Sequence, residues 1–117
     1  KIRWKLLRKK INMETNLYEI LVPTQFNDGV PIRTRYHKVW DKKVYTLTNG
    51  LTILKPVNGK WKSPIGDEFF ERMIPVRIVC TREQIEKIID MSMEYYKQEA
   101  ILAYKLSDEV ILKHKNA

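Results

Sequence analysis

Five side chains could together form a small polar binding site: Trp61, Glu68, Glu71, Tyr95 and Gln98. Glu68 and Glu71 flank a Phe-Phe pair just before an apolar run, and Gln98 stands just before another. A carboxylate can bind a cation, an amide gives directional hydrogen bonds, and an aromatic ring can stack on a flat ligand. Taken singly, each residue has an ordinary structural explanation. Taken together, they suit a ligand with a positive charge, a purine and a polar tail.

The sequence lacks the motifs of several common kinds of site. It contains no GxGxxG, no GxxxxGK[ST] and no nucleophile elbow. The two histidines, His37 and His114, fall on different predicted elements without metal-ligand spacing. Cys80 is the only cysteine, which excludes an internal disulfide. We therefore expect no cofactor and no metal site, and we expect Cys80 to be a small buried apolar residue.

The spacing of apolar residues predicts the order β-α-β-β-α-β. We expect strands at 17–22, 51–54, 74–80 and about 100–105, helices near 31–48 and 82–98, a loop or hairpin tip at 56–66 and an extra C-terminal strand at 110–112. Thr81 with Gln84 predicts a capping box, and Asn49-Gly50 predicts a left-handed helix end. Right-handed crossovers turn this order into an α+β, ferredoxin-like plait with both helices on one face of an antiparallel sheet.

The positive charge is concentrated at the N-terminus. The chain of 117 residues has 22 Lys and Arg against 14 Asp and Glu, a net charge of +8. Six of these basic residues lie within residues 1–12, which leaves only +2 on residues 13–117. We interpret residues 1–12 as a basic arm or extension and residues 13–117 as a single α+β domain. The arm could contact phosphate or another anionic surface, or it could be an extension ahead of a natural start at Met13.

Composition also indicates the kind of environment. Hydrophobic residues make up 44% and charged residues 31% of the chain, which is typical of a globular domain. No apolar run is long enough to span a membrane, and no secretory signal is visible. With a single cysteine, a reducing cytoplasm is the simplest location.

The predicted sheet raises the question of what covers its second face. Helices cover only one face, and the predicted second, third and fourth strands are apolar on both. A monomer would leave an apolar surface in water. We therefore expect a homotrimer assembled through the sheet, as in PII-like proteins, with ligand sites in the clefts between subunits.

The segment from Glu71 to Tyr104 resembles a known enzyme family. Its motifs ERMIPVRIVCT and YYKQEAILAYK, separated by a helix, look like the second half of the phage-type S-adenosylmethionine (SAM) lyases, formerly called SAM hydrolases. The opening LYEILVPTQF is similar to their first strand. The resemblance implies a trimer that binds SAM between subunits, in the host cytoplasm if the protein is phage-encoded.

The resemblance also implies a reaction and roles for residues. The carboxylate of SAM attacks its own γ-carbon and releases methylthioadenosine and homoserine lactone, so no metal or protein nucleophile is required. Glu71 would be the catalytic residue, binding the amino group or steering the cation. Gln98 would orient the polar tail or the ribose, and Trp61 or a cleft tyrosine would pack the adenine.

Two other function classes remain open at this stage. The first is a non-catalytic, PII-like plait that binds a small metabolite or another protein. The second is nucleic-acid binding through the basic arm. RNA-binding plaits stack bases on exposed sheet aromatics flanked by basic residues, and the predicted central strands lack that pattern.

Overall fold

The computed structural model describes residues 14–115, so the basic arm at 1–12 and the prediction made for it lie outside the described residues. Within residues 14–115 the elements are, in order, β1 (Asn16–Pro23), α1 (Thr34–Thr48), β2 (Thr52–Ile53), β3 (Val57–Lys62), β4 (Glu68–Cys80), α2 (Arg82–Tyr95) and β5 (Ala103–Ser107). Neither of these two helices is long and apolar enough to cross a membrane.

The strands form one antiparallel sheet in the order β2-β4-β1-β5, and β3 also pairs with β4. Alternate residues of the central strands β1 and β4 point into a core that includes Ile20 and Ile78. The same core contains Trp40 and Val44 from α1 and Ile88 from α2, so both helices cover the same face. The predicted α+β, ferredoxin-like plait is confirmed.

Polar groups inside this core are paired. The indole N–H of Trp40 donates to Ser92 Oγ at 2.9 Å, and Ser92 in turn donates to the carbonyl of Ile88. The predicted capping box at the start of α2 is present: Thr81 Oγ1 accepts from Gln84 N at 3.1 Å, and Gln84 Oε1 accepts from Thr81 N at 2.9 Å. Burial of Cys80 raises its pKa to about 12, as expected of a small buried residue.

Several predicted boundaries are wrong. α1 begins at Thr34 rather than Pro31, because residues before it stay extended and Ile32 N donates to Thr24 O. Residues 56–66 are not simply a loop, since β3 occupies much of this range. Its residues are mostly exposed on both faces, so they carry no apolar alternation. Residues 110–112 form no strand.

Pro75 lies inside β4, which is not an edge strand, although proline normally occurs at edges or bulges. A strand residue directs its N–H and C=O to the same neighbour. The carbonyl of Pro75 accepts from Leu54 N, so its missing N–H also faces the side of β2 and β3. That side is interrupted between Ile53 and Val57, where the register shifts by one residue. Proline is therefore tolerated opposite a bulge-like break.

The sheet face opposite the helices is less apolar than predicted. At its centre, Glu19 is only 7% exposed and accepts a hydrogen bond from Arg77 Nε at 3.0 Å. Tyr104 donates its hydroxyl to the other carboxylate oxygen, and this bond raises the pKa of Tyr104. The three residues lie on β1, β4 and β5 and link the strands across the face. The predicted third strand is therefore not apolar on both faces, because Arg77 of β4 lies on this face beside Glu19 of β1.

Candidate ligand-binding site

A hairpin made of β3 and β4 extends beyond the end of β1. β1 stops at Pro23, which pairs with Met73, whereas the β3–β4 pairing continues from Val57 as far as Lys62 and Glu68. The first part of β4, residues 68–72, is therefore paired with a strand on one side only. Since a residue's N–H and C=O point to the same side, those of Phe70 face the corner left beyond β1.

A cavity of about 740 Å³ fills this corner. It is lined by residues between Pro23 and Gly29, by both strands of the hairpin and by Gln98. Glu71 is among the hairpin residues that line it. The structure thus brings Glu71 and Gln98, two of the predicted site residues, to the walls of one cavity.

Gln98 is held by the turn that ends α2. Gln98 N donates to Met93 O at 2.9 Å and Lys97 N to Glu94 O at 3.3 Å, the bonding pattern of a Schellman motif. Lys97 has a φ of 56°, a left-handed conformation that usually favours glycine. The side-chain nitrogen of Gln98 donates to the carbonyl of Tyr96 at 3.0 Å. This bond orients the amide and leaves Oε1 as an acceptor.

The loop before α1 is tied to the same turn. Asn27 Nδ2 donates to the carbonyl of Lys97 at 3.2 Å, and Lys97 Nζ lies 5.8 Å from the centre of the Phe26 ring. The other end of the loop is fixed on the hairpin, where Thr24 Oγ1 donates to the carbonyl of Arg72 at 2.7 Å. The loop, the turn and the hairpin therefore form one connected wall around the cavity.

An aromatic cluster supports this wall from the helix side. The rings of Tyr36 and Tyr95 stack at 4.1 Å, and each hydroxyl donates to the other's backbone carbonyl. Phe26 packs edge-on against Tyr36 at 5.3 Å. Tyr96 is fully buried and bonds His37 Nδ1 through its hydroxyl at 2.7 Å. Burial raises the pKa of Tyr96 and lowers that of His37. His37 is therefore part of this packed cluster.

One face of the hairpin combines a carboxylate with aromatic and apolar side chains. Glu71 lies opposite Gly59, and Trp61 is one position further along the same face. A Cβ at Gly59 would lie 2.4 Å from Met73 Cε and 2.8 Å from Trp61 Cζ2, so these side chains pack over the bare glycine. Trp61 remains 36% exposed. The carboxylate of Glu71 makes no hydrogen bond or ion pair with any residue that the structure describes.

The other face of the hairpin is basic and aromatic. Strand alternation places Phe70 and Arg72 on it, together with Lys60, which pairs with Phe70. Lys60 Nζ lies 5.8 Å from the centre of the Phe70 ring, which is 68% exposed. All three residues line the cavity. The exposed edge of β4 is therefore flanked by a carboxylate on one side and by cations on the other.

The remaining predicted site residues lie elsewhere. Trp61 does not line the cavity but shares the hairpin face of Glu71. Glu68 lies at the start of β4, pairs with Lys62 and does not line the cavity. Tyr95 is engaged with Tyr36 and does not line it either. Among the described residues, no group of three His, Cys, Asp or Glu could hold a metal ion.

Sequence reasoning missed the contributions of Arg72, Lys60 and Phe26. The pattern Glu71-Arg72 contained a signal for Arg72, because adjacent strand residues point to opposite faces and both flank the strand edge. Phe26 carried no such signal, since its position depends on how the loop folds against α2.

No protein-family model matches the sequence, and no curated protein matches it significantly. Solved structures do match in fold. The CutA protein of Archaeoglobus fulgidus, a periplasmic divalent cation tolerance protein, has a TM-score of 0.62 at 13% identity, over 85% of this chain and 88% of that one. CutA1 from Shewanella sp. SIB1 has a TM-score of 0.61 at 12% identity, over 87% of this chain and 86% of that one.

A phage SAM lyase in complex with S-methyl-5′-thioadenosine matches comparably. Its TM-score is 0.59 at 13% identity, over 81% of this chain and 82% of that one. These identities are too low to assign a family or an activity. The likeness shows the ferredoxin-like fold, which this chain shares with an enzyme and with CutA proteins.

Proposed function

We propose that the protein degrades SAM to methylthioadenosine and homoserine lactone, at a site formed around the cavity beside the β3–β4 hairpin. One observation carries the proposal: Glu71 and Gln98, which the resemblance to SAM lyases selected from the sequence, line the same cavity. The shared fold with a phage SAM lyase bound to methylthioadenosine supports it.

The reaction needs little from the protein beyond binding and folding the substrate. A carboxylate oxygen of SAM forms a bond to the γ-carbon while the carbon–sulfur bond breaks, and the bonding electron pair passes to sulfur. The sulfonium and the carboxylate become a neutral thioether and a lactone, and no proton is transferred. A site that holds the two reacting groups together and excludes water favours this loss of charge.

The described residues match these requirements. The carboxylate of Glu71 would bind the ammonium group or attract the sulfonium, since no described residue pairs with it. The Oε1 atom of Gln98 would accept a hydrogen bond from the ribose or the amino group. Two aromatic rings offer surfaces for the adenine: Trp61, which is 36% exposed, and Phe26, which is partly buried and lines the cavity.

We also propose that a homotrimer forms the complete site, in the cytoplasm. Trp61, Phe69 and Phe70 are 36%, 48% and 68% exposed, although large aromatic side chains on a hairpin tend to be covered. A second copy packed against the hairpin would cover these rings and close the open side of the cavity.

Incubation of the purified full chain with SAM tests the proposal. Chromatography and mass spectrometry should detect methylthioadenosine and homoserine lactone in equal amounts, at a rate proportional to protein concentration. A boiled sample is the control for spontaneous breakdown. Absence of both products above that control would contradict the enzymatic proposal.

A second candidate is a non-catalytic, PII-like module that binds a small metabolite. The likeness to CutA proteins, which covers the chain as fully as the likeness to the lyase, favours this alternative. Binding of SAM or another adenosine compound without turnover in the same experiment would support it over the lyase.

A further inference from the structure

We propose that Arg72 recognises the carboxylate of the ligand's amino-acid end, opposite Glu71, so that the exposed edge of β4 binds a zwitterion. This inference rests on the proposed function, because it concerns how the same cavity holds SAM. It assigns a role to the most prominent charged residue of the cavity that the sequence-based site left out.

The geometry begins with strand alternation. Glu71 and Arg72 are consecutive in β4, so their side chains leave the strand on opposite faces. Both residues line the same cavity, which lies along the strand edge that β1 does not cover. A ligand placed against this edge would have the carboxylate on one side and the guanidinium on the other.

Arg72 is fixed at the backbone and free at the side chain. Its carbonyl accepts hydrogen bonds from both the N–H and the hydroxyl of Thr24, at 3.3 Å and 2.7 Å, which anchors the strand at this position. Its guanidinium forms no ion pair or hydrogen bond with any side chain that the structure describes. By contrast, Arg77 on the same strand is engaged with Glu19.

The charge pattern favours an anionic group on this side. Arg72 and Lys60 lie on the same hairpin face, and Lys60 is drawn toward Phe70 rather than toward a described carboxylate. A guanidinium can bind a carboxylate through two parallel hydrogen bonds, and the N–H of Phe70, which points to the same corner, adds a donor. Arg72 is the better candidate because Lys60 can only act as a point charge.

This arrangement also fits the proposed chemistry. A carboxylate oxygen that accepts one hydrogen bond from the guanidinium keeps a second lone pair for attack on the γ-carbon. If Glu71 holds the ammonium group at the same time, rotation about the substrate's Cα is restricted. Arg72 would then position the nucleophile and would not itself react.

Two stable ligands separate this role from a general loss of binding. S-adenosylhomocysteine carries the amino-acid end, and methylthioadenosine lacks it. Their affinities are measured by calorimetry for the wild type, for Arg72→Gln and for Lys62→Gln. Lys62 lies on the same face of the hairpin but outside the cavity, so its variant controls for the loss of one positive charge.

Arg72→Gln should weaken the binding of S-adenosylhomocysteine about 10- to 100-fold, which is the effect of one charge-assisted contact. It should change the affinity for methylthioadenosine by no more than about twofold. Lys62→Gln should change neither of the two affinities by more than about twofold. The role of Arg72 would be overturned if the Arg72→Gln variant, with an unchanged melting temperature, lost affinity equally for both ligands or lost no affinity for either. If the wild type binds neither ligand, the proposed function fails, and this inference fails with it.

Discussion

The two ends of β4 lie in opposite surroundings. Its C-terminal part, residues 74–80, pairs with β1 along its length and with the short β2 in the middle, and it supplies Val76, Ile78 and Cys80 to the core under the helices. Its N-terminal part, residues 68–72, pairs with β3 alone and is exposed throughout. In the first region Arg77 is paired with Glu19, whereas in the second Glu71 and Arg72 line a cavity. One continuous strand thus anchors the domain at one end and presents ligand-binding groups at the other.

The sharpest test of this contrast uses two tryptophans. Trp40 is 1% exposed in the core, and Trp61 is 36% exposed on the hairpin. Trp40→Ala should lower the free energy of unfolding by about 3–5 kcal/mol, because it leaves a large cavity. Trp61→Ala should lower it by less than about 1 kcal/mol but weaken ligand binding. Urea unfolding of both variants measures the difference. Equal losses of stability would contradict the contrast between a stabilising core and an exposed, ligand-binding hairpin.

The carboxylates provide the next test. Glu71→Gln preserves shape and removes charge, so it should reduce SAM binding or turnover by about ten- to a hundredfold, equivalent to about 1.5–3 kcal/mol. Glu83→Gln is the matched control, since Glu83 is an exposed residue of α2 that pairs with Lys87. Its kinetics should equal those of the wild type. Similar effects of both substitutions would indicate a long-range charge effect rather than a site.

The start of α2 tests the stable region alone. Thr81→Ala removes the side-chain half of the capping box and should lower the free energy of unfolding by about 1 kcal/mol. Ligand affinity should stay constant, because Thr81 is on neither the hairpin nor the cavity wall. Thermal unfolding and a binding titration report the two quantities, and loss of affinity in the folded variant would argue against independent regions.

The smallest effect concerns pH. Burial lowers the pKa of His37 below its ordinary value of 6.5, so the unfolded chain binds a proton more readily than the folded one. This contribution to stability is complete above about pH 6.5 and is lost as pH falls toward the lower folded pKa. Urea unfolding between pH 7.5 and pH 5 should show the loss in the wild type and a smaller loss in His37→Gln. Identical pH profiles would remove His37 as the cause.

The covered part of the molecule was more predictable than the hairpin. Thr81 and Gln84 form the predicted capping box, and Ile85 and Ile88 are buried as their helical spacing indicated. In α1, Trp40 and Val44 are buried, whereas Val39 and Leu47 are 46% and 44% exposed although they are apolar.

A loop or hairpin tip was predicted at 56–66, but the strand β3 within it escaped prediction because its signal is weak. Residues of β3 are exposed on both faces, so no apolar alternation distinguishes them from a loop. Glu71 and Gln98, which were expected near one cleft, both line the cavity, since each stands near the end of a core element, and their role in binding stays a prediction. The basic face with Arg72 depends on β4 beginning at Glu68 and pairing with β3, whereas apolar spacing predicted a strand only from residue 74.

The rate of methylthioadenosine formation from SAM tests the central claim most directly, measured for the wild type, Glu71→Gln and Gln98→Ala under identical conditions. We predict turnover by the wild type and a loss of about tenfold or more in each variant, with unchanged melting temperatures. Turnover at the wild-type rate by both variants would show that the cavity beside the hairpin is not the site. Absence of turnover by the wild type would contradict the enzymatic account.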